Sequence, residues 1–143
     1  MCRDLIDMIN ERELIHEALE ARKCSHSPYS HFAVGAALLC SDGQIVRGAN
    51  VENASFGGTI CAERSAFLAA ISMGKRDFEA IAIVGAPHGD QIGEICAPCG
   101  ICRQFMSEFC GADFNIVLFD GEKPVLRTLG ELLPDTFVLK GDR

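Results

Sequence analysis

Cys61-Ala62-Glu63 and, far downstream, Pro98-Cys99-Gly100-Ile101-Cys102 constrain this chain more than any other feature. Together they supply three thiolates and one free carboxylate, so a fold that uses them must bring two distant segments to one point. Cys99 and Cys102 lie three apart and share one face of a helix, where both can grip a single ion. Zinc held by three protein ligands keeps a fourth position for water, whereas a structural zinc is usually closed by four. Water in that position loses its proton near neutral pH. Glu63 stands two residues beyond a ligand and is free to carry that proton. The expected chemistry is metal-assisted hydrolysis.

Duller readings of the cysteines compete with this one. A lone C-x-x-C could be a redox pair, half of a structural zinc site, or two buried thiols. Cys96-x-x-Cys99-x-x-Cys102 resembles part of a ferredoxin-type cluster motif, with Cys110 as a conceivable fourth ligand. That motif wants a nearby cysteine followed by proline, and Cys110 is followed by Gly111. It also leaves Cys61 and Glu63 without a role. Cys96 is best read as a spare thiol in a loop, cut off from the helix by Pro98. Cys2, Cys24, Cys40 and Cys110 are read as buried or incidental. None of the histidines, His16, His26, His31 and His88, falls near the cysteine motifs, and none is assigned as a ligand.

Charge accounting adds Arg64. Three thiolates on a divalent ion leave a net −1, which makes the bound water a poorer acid. A guanidinium donating to thiolates withdraws electron density and restores that acidity. Arg64 adjoins Cys61 and Glu63, with Arg103 and Gln104 as further candidates.

At 143 residues the chain is expected to form one domain, 1–143, with a substantial core. A net charge of −7 argues against a polyanionic partner, since nucleic-acid affinity rests on Lys and Arg. A small neutral or cationic substrate fits better. Met1-Cys2-Arg3-Asp4-Leu5-Ile6-Asp7 carries charges where a signal peptide needs an apolar stretch. The apolar run over 32–40 is too short to span a bilayer. The expectation is a soluble cytoplasmic protein with no membrane contact, whose thiols stay reduced.

Asn10-Glu11-Arg12-Glu13 reads as an N-cap with an acidic partner, followed by Leu14, Ile15, Ala18, Leu19 and Arg22 at helical spacing. Residues 32–40 read as a buried strand, Ser41-Asp42-Gly43 as a turn and 44–51 as the return strand. A loop over 53–59 precedes a helix over 61–73. A strand over 78–85, a polar loop over 86–97 and a helix over 99–110 follow. Residues 114–119 form another strand, 124–129 an edge strand, and 130–133 a helical turn. This order implies a three-layer α/β/α sandwich with a mixed sheet of about five strands. Right-handed crossovers would make the last strands parallel. Both ligand segments open helices, where unpaired amides favour thiolate over thiol.

Taken in order, Ser27-Pro28-Tyr29-Ser30-His31-Phe32-Ala33-Val34-Gly35-Ala36-Ala37, Asn50-Val51-Glu52-Asn53-Ala54, Cys61-Ala62-Glu63-Arg64, Pro98-Cys99-Gly100-Ile101-Cys102-Arg103-Gln104 and Glu131-Leu132-Leu133-Pro134 cover most of the chain. The set resembles the cytidine deaminases of the short, homotetrameric, zinc-dependent class. That resemblance implies one Zn²⁺ per subunit on Cys61, Cys99 and Cys102, with Glu63 as the catalytic proton carrier. It implies that Asn50 and Glu52 bind the ribose, chiefly its 3′-hydroxyl, an arrangement in which an amide and a carboxylate satisfy a hydroxyl as donor and acceptor. Phe32 is implied to pack near the pyrimidine, Phe56 to lie near the sugar, and Phe137 to reach a neighbouring subunit's site.

The activity implied is hydrolysis of cytidine and 2′-deoxycytidine to uridine and 2′-deoxyuridine with release of ammonia, a step of pyrimidine salvage. The alternative is a related deaminase acting on a cytosine-nucleoside antibiotic of the blasticidin type. Three departures from the family pattern stand out: Phe56 where many relatives have tyrosine, Ala97 where serine is frequent, and the extra thiol Cys96.

Overall fold

The computed structural model describes residues 2–141, with side chains from residue 11 onward. Helix α1 (Cys2–Arg22) leads into strand β1 (Phe32–Cys40) and its hairpin partner β2 (Ile45–Ala49). A 3-10 turn (Phe56–Gly58) precedes helix α2 (Ala62–Ser72) and strand β3 (Phe78–Pro87). Helix α3 (Gly100–Phe109), strands β4 (Asn115–Phe119) and β5 (Pro124–Thr128), and the short helix α4 (Leu129–Leu132) complete the order.

The first helix starts earlier than its apparent N-cap. Asn10 lies inside α1, which begins at Cys2. No glycine or proline separates the two positions, so nothing obliges the helix to stop, and the capping signal is overridden. The side chain of Cys2 lies outside the described residues. Downstream, Leu14, Ile15 and Ala18 are buried as the spacing predicts, with Ala21 joining them.

The five strands form one mixed sheet in the order β2-β1-β3-β4-β5. β1 pairs antiparallel with both β2 and β3, and β3 pairs parallel with β4. The expectation of parallel last strands needs correction: β5 runs antiparallel to β4. The link between them is a tight turn, not a helical crossover. There the Asp120 carboxylate accepts the N–H groups of Glu122 at 2.8 Å and Lys123 at 2.9 Å. A short turn can only return a strand antiparallel.

Alternation along the strands divides the core between two faces. On one face Ala37, Ala80, Ala82, Val84 and Val117 meet Leu14, Ile15 and Ala18 of α1. On the other, Ala36, Leu38, Ile81, Ile83, Ile116 and Leu118 meet α2 and α3 through Ala62, Ala66, Phe67, Ala70, Cys102 and Met106. Helices on both faces make the expected α/β/α sandwich, and a central strand buried on both sides reads as the unbroken apolar run seen over 32–40.

Two contacts fix the helices that carry the cysteines. Gly48 of β2 lies so close to the backbone of Ala62 and Ala66 that any side chain there would strike α2. Phe67 anchors an aromatic cluster, with Phe78 at 5.0 Å and Phe105 at 5.8 Å between ring centroids. Phe105 belongs to α3, so one fully buried ring joins both helices to the sheet. Its loss would cost about 3–5 kcal/mol. Among the described residues, no helix is long and apolar enough to cross a membrane.

Candidate active site and metal centre

Cys61 and Cys99 occupy equivalent places, each the extended residue immediately before a helix, and neither side chain caps its helix. Both sulfurs are therefore left free to face away from the chain. Cys102 follows one turn into α3 and is fully buried. The Cys61 and Cys99 sulfurs are 3.7 Å apart, those of Cys99 and Cys102 3.5 Å, and all three lie within 4.8 Å of one another. Three sulfurs at about 2.3 Å from a tetrahedral zinc would stand about 3.8 Å apart. The donor set fits the ion in kind and in spacing.

The thiols share their protons unevenly. Hydrogen bonding from Cys102, with further help from Arg64 and Cys99, pulls the acidity of Cys61 up against the opposing effect of burial. Cys102 shifts the other way, because its proton is held in that bond to Cys61 and its sulfur is buried. Arg64 approaches Cys61 Sγ with its Nη2 at 3.7 Å and the Thr59 carbonyl at 3.4 Å. Its Nε is buried with no hydrogen-bond partner, an N–H without an acceptor beside a thiolate cluster. A metal-loaded, fully deprotonated cluster offers such an acceptor.

Glu63 is 5% exposed, the one buried charged side chain among the described residues. Burial, with the charge of Cys61 adding to it, pushes its carboxyl up to about 7. A carboxylate poised there can both accept and return a proton near neutrality.

The residues expected to meet the sugar form a second, more open group. Glu52 accepts the N–H of Tyr29 at 2.9 Å and of Ser30 at 3.1 Å, and the Ser30 hydroxyl as well. The Ser30 bonds, hydroxyl foremost, hold its carboxyl below the usual range despite some desolvation. Asn50 is buried and already engaged: its amide donates to the Phe32 carbonyl at 2.9 Å and accepts from Val34 N–H at 3.0 Å and the Ser25 hydroxyl. One amide hydrogen remains for a ligand. Tyr29 and Phe56 meet edge-to-face at 5.5 Å and, with Ser30, Glu52 and Thr59, line an open hollow of about 340 Å³. Phe32, at the start of β1, is 37% exposed.

Two of the residues grouped with Arg64 have other partners. Gln104 is exposed, and its amide donates to the Phe137 carbonyl at 3.0 Å, on the helix face turned from the sulfurs. Arg103 donates to the Pro98 carbonyl through Nε and to the Leu132 carbonyl through Nη1, both at 2.7 Å, tying the ligand loop to α4. Gln104 lies further round the helix from the face that Cys99 and Cys102 share, whereas Arg103 stands one turn beyond Cys99. Cys96 and Cys110 are absent from the metal-competent cluster of the described residues, and burial pushes their thiols up to about 11 and about 12. The four histidines are all exposed. Phe137 is 66% exposed, as are its neighbours to a similar degree.

Ser30 and Ser25 were not singled out by the sequence. The only trace of them is a Ser-rich turn ahead of β1, a pattern too common to mark a site.

Comparison with known proteins agrees with this geometry. Residues 8–118 match the cytidine and deoxycytidylate deaminase zinc-binding region, and the chain belongs to that family of zinc enzymes. It is 46% identical to a cytidine deaminase of Halalkalibacterium halodurans over 90% of this chain and 95% of that protein. A crystal structure of cytidine deaminase from Burkholderia pseudomallei superposes with a TM-score of 0.81 at 43% identity, covering 88% of this chain and 98% of that one. A blasticidin-S deaminase from Bacillus cereus is more distant, at 32% identity over 85% of this chain and 88% of that one.

Proposed function

We propose that this chain hydrolyses cytidine and 2′-deoxycytidine to uridine and 2′-deoxyuridine, releasing ammonia. The observation that carries the reading is the enclosed Glu63 carboxylate, one helical step from a triangle of sulfurs sized for a tetrahedral ion. Cys61, Cys99 and Cys102 would hold the zinc, which supplies Lewis acidity and a water of lowered pKa when bound.

Glu63 would move one proton from the attacking water to N3 of the cytosine, which makes C4 electrophilic. With oxygen added at C4, Glu63 would carry the remaining hydroxyl proton to the amine nitrogen, so that the C4–N4 bond breaks with a neutral leaving group. Ammonia leaves and the carbonyl of uracil forms. Arg64 offsets the excess negative charge of three thiolates by donating toward them. Glu52 and the free amide hydrogen of Asn50 engage the ribose hydroxyls, with Ser30 orienting the carboxylate. Among the described residues, no lysine or arginine lines the hollow beside Glu52, which favours an unphosphorylated sugar.

The same reading makes the chain a single catalytic domain of pyrimidine salvage, working as a cytoplasmic homotetramer. Among the described residues seven cysteines are unpaired, which supports a reducing compartment. The exposed run Phe137-Val138-Leu139 supports a subunit contact, with Phe137 reaching a neighbouring site.

Loss of the cytidine absorbance on incubation with the zinc-loaded protein tests the activity, with a chelated sample beside it and blasticidin S as a parallel substrate. Turnover of cytidine that a chelator abolishes is expected. Faster turnover of blasticidin S than of either nucleoside would transfer the assignment to the antibiotic deaminases.

A further inference from the structure

One contact beneath Phe32 serves neither the metal nor the proton. A Cβ placed on Gly85 of β3 would lie 2.7 Å from Cys96 Sγ, 3.1 Å from Cys96 Cβ and 3.0 Å from Cε1 of Phe32. Close-packed interiors leave no slack for such an atom, so the sulfur and the ring edge both rest on bare backbone. The main chain of Phe32 is fixed as well. Its N–H donates to Ser30 Oγ at 3.0 Å and its carbonyl accepts from Asn50 Nδ2 at 2.9 Å. With the backbone pinned on both sides, the depth of the ring depends on what lies beneath it.

Cys96 connects that ring to the catalytic end. It is half-buried and packs against the core cluster that contains Cys102, as Cys61 also does. Its thiol is made a weaker acid first by burial and then by the charges of Glu63 and Cys61. Phe32 and Cys96 thus meet over Gly85, and Cys96 continues into the cluster that holds Cys102.

We infer that Cys96 and Gly85 form the floor on which the Phe32 ring sits, and that the bulk of this floor sets the width of the cleft for the pyrimidine. Cys96 is accordingly a positioning residue for substrate, acting through Phe32. The inference rests on the deaminase reading above and assigns to that site a means of discriminating among cytosine nucleosides by substituents on the base. Added bulk in the floor lifts the ring and narrows the cleft. Removed bulk lets the ring sink and widens it.

The test compares cytidine with 5-methylcytidine, a base carrying one extra methyl group, as kcat/KM ratios. Gly85→Ala should turn the ratio further toward cytidine and Cys96→Ala should turn it toward 5-methylcytidine. Each shift is expected to be about tenfold, the lower end of what one methyl-sized change is worth in an apolar pocket. In the double variant the new Cβ takes the space of the lost sulfur, and the ratio should return close to that of the unaltered protein. Zinc per chain and melting temperature are measured alongside, and zinc should stay at one. Should Gly85→Ala fail to fold, Cys96→Leu adds bulk from the other side and carries the same expectation.

Shifts of the same sign in the two single variants, an unmoved ratio, or a double variant no better than the worse single one would overturn the inference. If the unaltered protein deaminates neither nucleoside, the underlying activity falls and this inference with it. If it deaminates them and only the ratios refuse to move, the floor alone is refuted.

Discussion

The two ends of the site are built by different means. The metal end is made of side chains whose positions follow from the chain itself: two residues that open helices, one a turn further in, all backed by the core around Phe67. The end proposed for the sugar is made of surface loops held by hydrogen bonds, with Glu52, Ser30, Tyr29 and Phe56 around an open hollow. At the first end packing fixes geometry before any ligand arrives. At the second, the ligand must compete for groups already engaged with the protein. Chemistry is therefore expected to be lost abruptly by changes at the metal end, and affinity gradually by changes at the sugar end.

The largest effect should come from the ligands. Cys61→Ala, Cys99→Ala or Cys102→Ala should each abolish both stoichiometric zinc and turnover, read by metal analysis and cytidine assay on the same preparation. A variant that kept zinc would mean that the triangle is drawn wrongly. Next, Glu63→Gln should keep one zinc per chain and lose at least about 10²–10⁴-fold in kcat, the usual worth of a positioned proton carrier. Retained turnover there would erase the contrast, because the metal end would no longer be where chemistry resides.

Arg64→Ala should lie between the two ends, lowering zinc affinity or kcat by about 10–100-fold as removal of a residue that supports metal ligands does. Competition with a chromogenic chelator measures the first and steady-state kinetics the second. The smallest effect belongs to Glu52→Gln. It should raise KM for cytidine by about tenfold, the worth of one charge-assisted hydrogen bond, with kcat and zinc little changed. The same measurement with 3′-deoxycytidine should show little further loss in the variant, since the partner hydroxyl is already gone. Equal efficiency of the native protein toward cytidine and 3′-deoxycytidine would remove the sugar end from the picture.

Legibility from sequence follows the same division. Cys61, Glu63, Cys99 and Cys102 could be named because each pair of functional atoms is separated by one or two residues on a helix start, a spacing visible along the chain. The strands could be placed because β1 and β3 are apolar throughout, and the sandwich followed from their alternation with helices. Gly48 and Gly85 carried no such mark. Their importance lies in what faces them across the sheet and the helix layer, which only the register reveals. Ser30 and Ser25 act through partners more than twenty residues away, on a different loop. For Gln104 and Arg103 the sequence shows only adjacency to a ligand, while their bonds to Phe137, Pro98 and Leu132 depend on how the C-terminal segment packs. At α1 a good capping sequence lost to the helical preference of the residues before it.

The division of the ligands between α2 and α3 has a consequence for how the molecule comes apart. Cys61 belongs to the half of the chain that includes the β1–β2 hairpin, whereas Cys99 and Cys102 arrive only after β3 and the long loop beyond it. A bound ion thus acts as a cross-link between the early and late halves of the polypeptide, and its binding energy becomes folding energy. Zinc removal should let α3 exchange its amide hydrogens with solvent well before α1 does, and the melting temperature should rise with free zinc concentration. The ion that activates water would then also report, through hydrogen exchange, on whether the second half of the chain has docked.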